Sequence, residues 1–371
     1  MPTLDEFTAA GLYPGDGDPD DRRRLLEWLT ELGFTIEQLS TPIARENLAA
    51  IASDYRIVPG NRMSESDAVA LSGLEPDRFD RLATAFGFVP LDHDPPGERR
   101  FTRDEVELFS LLATLTEMFT YDEAVSVVRV IGSSLARLAE AVVSMFLVDV
   151  ESPHVRSGSD DLALAHKIYE ATGLLDGLTA RLDPILRRHV LQAVERGRHG
   201  MVDEHRLLYR NAIAFVDLVG FTPLSSDLDA TALAAFLRDF EGRAHDVATR
   251  YGARLVKVIG DEVMLASPDA AAACEAAAAL MEGFGTGSTH VVPRAGVAFG
   301  DVLTRGGDYY GSVVNLASRL VDHAVPGEIL VSEPVTVAAT SCQFDVAGRR
   351  VVKGFDEPIA VWTLRAQSAS S

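Results

Sequence analysis

The spacing of apolar residues changes at Asn211, and that change limits what the chain can build. Before it, apolar residues recur at helical spacing through segments such as RRRLLEWLTELG, FTRDEVELFSLLATLTEMF and DDLALAHKIYEATGLLDGLTARLDPILRRHVLQAVERG, with few β-branched runs of strand length. After it, short apolar runs (NAIAFVDLV, ARLVKVIG, DEVMLAS, VVPRAGVAFGDVLT, EILVS, IAVWTLR) alternate with helical ones. The chain therefore reads as multidomain. An all-α domain over 1–190 is followed by a linker over 191–207 and an α+β domain of ferredoxin-like character over 208–371, built from antiparallel hairpins rather than strict βαβ repeats. A length of 371 residues is ample for two cores.

The formal net charge is -21, with acids in excess in both halves. Such a surface repels a nucleic acid backbone, so no nucleic acid partner is expected. Residues 64–88 do read as two short helices joined by a glycine-containing turn, in the manner of a helix-turn-helix. The second helix, however, offers Asp77, Arg78, Asp80 and Arg81 rather than a basic face. A structural helical hairpin is the expectation. Cys274 and Cys342 have no metal-binding spacing and read as buried thiols of a reducing, cytoplasmic protein. The first 24 residues, acidic and then basic, do not read as a signal peptide.

The run 124–148 is apolar enough to test as a membrane span. Arg129, Arg137 and Glu140 interrupt it, which makes a long buried helix the expectation and a transmembrane segment not. Its apolar face is wider than one small bundle needs, and either a second copy of the chain or an apolar ligand would use the surplus. The stretch 187–212 is polar and helical in composition and carries His189, His199 and His205. It reads as a solvated connecting helix, or as a transducer whose charge changes near neutral pH.

In the second half, the strand NAIAFVDLV delivers Asp217 to its exposed end, and Asp261 lies in the apolar hairpin LVKVIGDEVMLA. Two carboxylates without a Cys or His cluster suit oxygen-only ligation of a hard divalent cation, and hence metal-assisted phosphoryl chemistry. Glu262, next along the strand, should point the other way and is expected to be a bystander. Asn315 and Arg319 are i,i+4 on the helical run VVNLASRL and share one face. Arg349, Arg350 and Lys353 form the dense basic patch of this acidic half, a candidate triphosphate clamp. Gly306, Gly307 and Gly311 around Asp308 suit a loop that approaches a ligand closely.

In order, FVDLVGFT (215–222), VKVIGDEVML (256–265), RAGVAFGDV (294–302), GGDYYGSVVNLASRL (306–320), PGEILVS (326–332) and VKGF (352–355) resemble the catalytic domain of class III adenylyl cyclases. The similarity runs over most of residues 205–368. The helical half resembles the regulatory domain of actinobacterial cytosolic cyclases that are autoinhibited and pH-responsive.

The resemblance implies an adenylyl cyclase that joins the ribose 3′ oxygen of ATP to its α-phosphorus and releases pyrophosphate. It implies a homodimer whose sites draw residues from both chains, and two divalent cations per site, Mg²⁺ or Mn²⁺. By match to the family motifs, Asp217 and Asp261 are the metal carboxylates, and Lys257 and Asp308 read adenine. Asn315 orients the ribose, Arg319 meets the transition state and Lys353 contacts phosphate. His189, His199 and His205 are candidate regulatory residues. A carboxylate acceptor suits the 6-amino group of adenine, whereas guanine presents a carbonyl there, so the Lys257/Asp308 pair points to ATP. The competing expectation is a non-enzymatic protein that uses a cyclase-like domain for nucleotide-dependent dimerisation.

Overall fold

The computed structural model describes residues 2–14, 18–41, 44, 47–58, 62–91, 94, 97–114, 118–152, 160–198, 201–203, 206–282 and 291–365. The chain divides into two compact units, Met1–Leu191 and Gln192–Ser371.

The described part of the first unit is helical: α1 Leu4–Ala9, α2 Pro19–Glu31, α3 Ile36–Leu39, α4 Ile51–Ile57, α5 Glu65–Ser72, α6 Pro76–Phe86, α7 Arg103–Thr114, α8 Tyr121–Phe146 and α9 Asp161–Gly197. Local chemistry starts several of them. Thr3, Thr35 and Thr120 each form a reciprocal capping box with the Glu or Gln three residues on, and Asp18 caps α2 ahead of Pro19. Two apolar clusters form. One gathers Phe7, Leu25, Leu26, Leu29, Leu39, Ile51 and Ala165, the other Phe79, Leu82, Phe86, Phe101, Phe109 and Val128. A two-residue antiparallel ladder, β1 Met63–Ser64 with β2 Arg100–Phe101, is added to the helices.

The charges on α6 serve the unit itself. Arg81 pairs with Asp122 at 2.7 Å, and the Tyr121 hydroxyl donates to the Arg78 carbonyl at 2.7 Å. Helix α8 departs from expectation. Only Ala124, Val125, Val128 and Gly132 are buried, while Val127, Leu135 and Met145 are 58%, 55% and 61% exposed. The cluster beneath it covers its first turns and no more, so the expected long buried helix is corrected to a largely exposed apolar one. By length and composition the stretch Tyr121–Val150 could cross a membrane. The helical expectation over 187–212 also ends early. Helix α9 stops at Gly197, and β3 Met201–Asp203 pairs with β4 Arg206–Val219.

The second unit is built on a nine-stranded sheet ordered β10-β11-β9-β7-β4-β6-β5, with β3 on β4 and β8 on β7. The remaining strands are β5 Arg254–Ile259, β6 Glu262–Ser267, β7 Val292–Arg305, β8 Asp308–Tyr310, β9 Ile329–Ser332, β10 Phe344–Arg350 and β11 Ile359–Leu364. Its helices are α10 Phe221–Asp227, α11 Ala230–Arg250, α12 Ala270–Met281, α13 Ser312–His323 and α14 Glu333–Ala338. All neighbours are antiparallel except β7 and β9.

Alternation along β4 sets the two faces. Ala212, Ala214, Val216 and Leu218 pack with residues of α11 and α12, among them Phe240, Ala244, Ala273 and Cys274. Ile213 and Phe215 pack on the other side with Tyr309 and with Ala317 and Val321 of α13. Helix α13 reaches the sheet at Gly296, where an added Cβ would lie 2.4 Å from both the Ala317 carbonyl oxygen and the Val321 nitrogen. Glycine there is what lets the helix backbone rest on the strand.

Candidate active site

Asp217 stands near the C-terminal end of β4, a strand paired on both sides. Its register partners are Glu262 on β6 and Arg294 on β7. The Arg294 Nε donates to Asp217 Oδ2 at 2.8 Å, with side-chain exposures of 25% and 18%. Asp261 sits in the two-residue turn between β5 and β6, and its carbonyl accepts from the Leu218 N–H at 3.2 Å. That bond ties the turn to β4 and sets both carboxylates at one end of the sheet. Burial first, and then the nearby Asp217 charge, push the Asp261 carboxyl above its ordinary value.

Glu262 is not the bystander that strand alternation suggested. It faces the same cluster because it pairs with Asp217 across the ladder. Burial, followed by the charges of Asp217, Asp322 and Asp261, pushes it up to about 7. The cluster thus holds three carboxyl groups against Arg294, a surplus of acid that the single cation does not neutralise. Oxygen donors, partial burial and uncompensated negative charge fit a divalent cation. Among the described residues no three His, Cys, Asp or Glu side chains are spaced to coordinate one metal ion, so the three carboxyl groups share a neighbourhood rather than form a complete ligand set.

A second group forms at the edge strand. Lys257 of β5 pairs with Asp308 of β8, Nζ to Oδ2 at 2.6 Å. The other Asp308 oxygen accepts from the Tyr309 N–H at 2.8 Å. Residues 51 positions apart in sequence are therefore already in contact, with both side chains part-exposed.

The third group lies on α13, whose buried residues Ala317, Leu320 and Val321 face the sheet. Asn315 is exposed, and Arg319 pairs with Asp322 at 3.2 Å in an exposed contact. The Asp322 carbonyl accepts from Arg294 Nη1 at 3.1 Å. Arg294 thereby links the Asp217 cluster to the C-terminal end of the helix that carries Arg319.

The basic patch is divided by its partners. Arg349 donates twice to the Pro358 carbonyl, at 3.1 and 2.7 Å, and so closes the β10–β11 turn. Lys353 is exposed in that turn. Strands β10 and β5 are opposite edges of the sheet, so within one chain Lys353 is remote from Lys257. His189 is exposed on α9, whereas His199 and His205 lie outside the described residues.

Sequence reading missed Arg294 and the orientation of Glu262. The motif RAGVAFGDV contained Arg294, but only its register with Asp217 shows what it touches.

The chain matches two family models: the adenylate and guanylate cyclase catalytic domain over residues 208–366, and the adenylate cyclase regulatory domain over residues 10–194. It is 33% identical to an adenylate cyclase of Streptomyces griseus over 304 residues, 81% of this chain and 73% of that protein. It is 30% identical to a pH-sensitive adenylate cyclase of Mycobacterium tuberculosis over 362 residues, 93% and 88% of the two chains. Among solved structures, the adenylyl cyclase CyaB from P. aeruginosa aligns with 44% of this chain and 96% of its own, at 26% identity and a TM-score of 0.41.

Proposed function

The chain belongs to the class III adenylate cyclases that join a regulatory domain to an adenylate and guanylate cyclase catalytic domain, and from that premise we propose a mechanism and a mode of control. The reaction is conversion of ATP to 3′,5′-cyclic AMP and pyrophosphate in a homodimer. Asp217 and Asp261 would hold two divalent cations, Mg²⁺ or Mn²⁺, whose chemistry would be to acidify the ribose 3′ hydroxyl and offset charge on the phosphates. Two carboxylates fill only part of a divalent cation's shell, which leaves positions for substrate oxygens.

Asp308 accepts from the 6-amino group of adenine, and Lys257 donates to a ring nitrogen. The 2.6 Å contact between these two side chains is the observation that carries the choice of ATP. It fixes the acceptor and the donor relative to each other before the base arrives, so little ordering is left for binding to cost. Asn315 orients the ribose. Arg319 donates to the oxygens of the α-phosphoryl group as charge builds there, a task suited to a planar, permanently charged fork. Lys353, at the far sheet edge, holds the terminal phosphates. Asp217 and Asp261 of one chain act with Lys257, Asp308, Asn315 and Arg319 of its partner.

Incubation of the full chain with ATP and Mn²⁺, followed by chromatography, tests the activity. Cyclic AMP and pyrophosphate in equal amounts are expected, and their absence from both the full chain and residues 203–371 would reject it. For control, we propose that the helical unit restrains the catalytic dimer and responds to pH, with His189, His199 and His205 as the titrating groups. The relationship to the pH-sensitive mycobacterial enzyme supports this reading. Activity profiles against pH for the full chain and for residues 203–371 should differ, and coincident profiles would remove sensing from the helical half.

A further inference from the structure

Lys257 does not hold Asp308 alone. Three residues earlier on β5, Arg254 donates through Nη2 to the Gly307 carbonyl at 2.6 Å. Its guanidinium carbon lies 5.6 Å from the centre of the Tyr309 ring. The two cations therefore grip the backbone and the side chain of one short segment, Gly307–Asp308–Tyr309.

In a regular strand, residues three apart point to opposite faces. Here a bulge intervenes. Arg254 pairs with Ala266 and Leu255 with Leu265, but Lys257, not Val256, pairs with Met264. The extra residue resets the alternation, so Arg254 and Lys257 both stand on the face of Ala266 and Met264, where Tyr309 is buried. Without the bulge, one of the two would turn away from Asp308.

The segment they hold has reason to need an anchor. Gly306 and Gly307 have φ of 59° and 80°, a conformation glycine adopts freely but also leaves freely. Among the described residues, backbone pairing secures β8 only against β7. The side chains of Arg254 and Lys257 tie it to β5, the strand at the sheet edge.

We infer that Arg254 is a positioning residue for base recognition: through the Gly307 carbonyl and the Tyr309 ring it sets where the Asp308 carboxylate meets the purine. This rests on the reading of Lys257 and Asp308 as the pair that contacts the base. Arg254 itself touches neither substrate nor cation.

The test uses the full chain with Arg254→Met, Arg254→Lys and Lys257→Met, measuring kcat and KM for ATP and for GTP in Mn²⁺ together with a thermal melt. Arg254→Met should raise the KM for ATP about tenfold, the scale of one lost charge-assisted hydrogen bond, and leave kcat within about twofold. The ratio of kcat/KM for ATP over GTP should fall in parallel. Arg254→Lys keeps the charge on one ammonium nitrogen but loses the planar fork that reaches both the Gly307 carbonyl and the Tyr309 ring, and should give intermediate values. If the melt shows that Arg254→Met fails to fold, the lysine variant decides, and an unchanged KM and ratio there count against the inference. If Lys257→Met collapses the ATP preference while both Arg254 variants match the unsubstituted protein, the role of Arg254 is wrong. If Lys257→Met also leaves the preference intact, the base-reading assignment falls and takes this inference with it.

Discussion

Arg294 and Asp217 face each other across adjacent strands, joined Nε to Oδ2 at 2.8 Å. The contact places a guanidinium on the carboxylate proposed to hold cations. Arg294 therefore acts as an internal counter-ion, and a cation arriving at Asp217 competes with it.

That competition gives the first prediction. Replacing Arg294 with Gln leaves Asp217 and its acidic neighbours without their neutralising partner. In the presence of a chelator, stability should fall by about 1–3 kcal/mol, the scale for leaving a part-buried group without its hydrogen-bond partner. Added Mn²⁺ should raise the Tm of this variant more than that of the unsubstituted chain. Equal Mn²⁺-induced shifts would show that Arg294 does not shield the site.

Glu262 supplies a pH dependence. Its carboxyl is raised from 4.5 to about 7 in the folded chain, so the folded state holds this proton more tightly than the unfolded state does. Between pH 4.5 and 7 the unfolded chain loses the proton first, and the Glu262 contribution to stability declines as pH rises through that window. The span corresponds to about 3 kcal/mol at most, lost above pH 7. Glu262→Gln should be more stable than the unsubstituted chain at pH 8 in chelator and should flatten the decline. Denaturant melts at pH 5 and pH 8 decide; parallel curves for the two proteins would contradict the assignment.

Gly296 bears the backbone of α13, which carries Asn315 and Arg319. An alanine Cβ would lie 2.4 Å from two backbone atoms of that helix, and neither is the end of a flexible side chain. Gly296→Ala should cost about 1–3 kcal/mol by overpacking. It should lower kcat more than it raises the KM for ATP, because the helix moves as a body. A variant with unchanged Tm and kcat would place the helix elsewhere.

Arg319 and Asp261 test the composite site together. Arg319→Ala should lower kcat by about 10²–10³ with KM nearly unchanged, and its exposed pairing with Asp322 should contribute little to stability. Asp261→Asn should abolish turnover by weakening cation binding. Mixing the two inactive variants should restore about a quarter of normal activity: half of the dimers are mixed, and each of these holds one intact site. No recovery on mixing, with dimers shown to exchange, would place all the residues of a site in one chain.

Much of this protein was legible without coordinates. The change of period near Asn211 announces the passage from helices to a sheet, although the first strand begins ten residues earlier, at Met201. The alternation in NAIAFVDLV already puts Asp217 at a strand end, and the i,i+4 spacing of Asn315 and Arg319 already shares a helix face. These are local properties, set by backbone repeats of 3.6 and 2 residues. Other features were not legible, because they depend on pairings between distant segments. Glu262 looked idle until β6 was registered against β4, which set it opposite Asp217. Arg294 was one letter in a motif until β7 laid it on the same carboxylate. Helix α8 had the composition of a buried helix, yet only its first turns found a core to cover them. The bulge in β5 turns Arg254 and Lys257 to one face, and neither the insertion nor its consequence can be read from RLVKVI alone. Sequence determined which elements form and which chemical groups they carry. Register, set by the burial of both sheet faces at once, decided which of those groups meet.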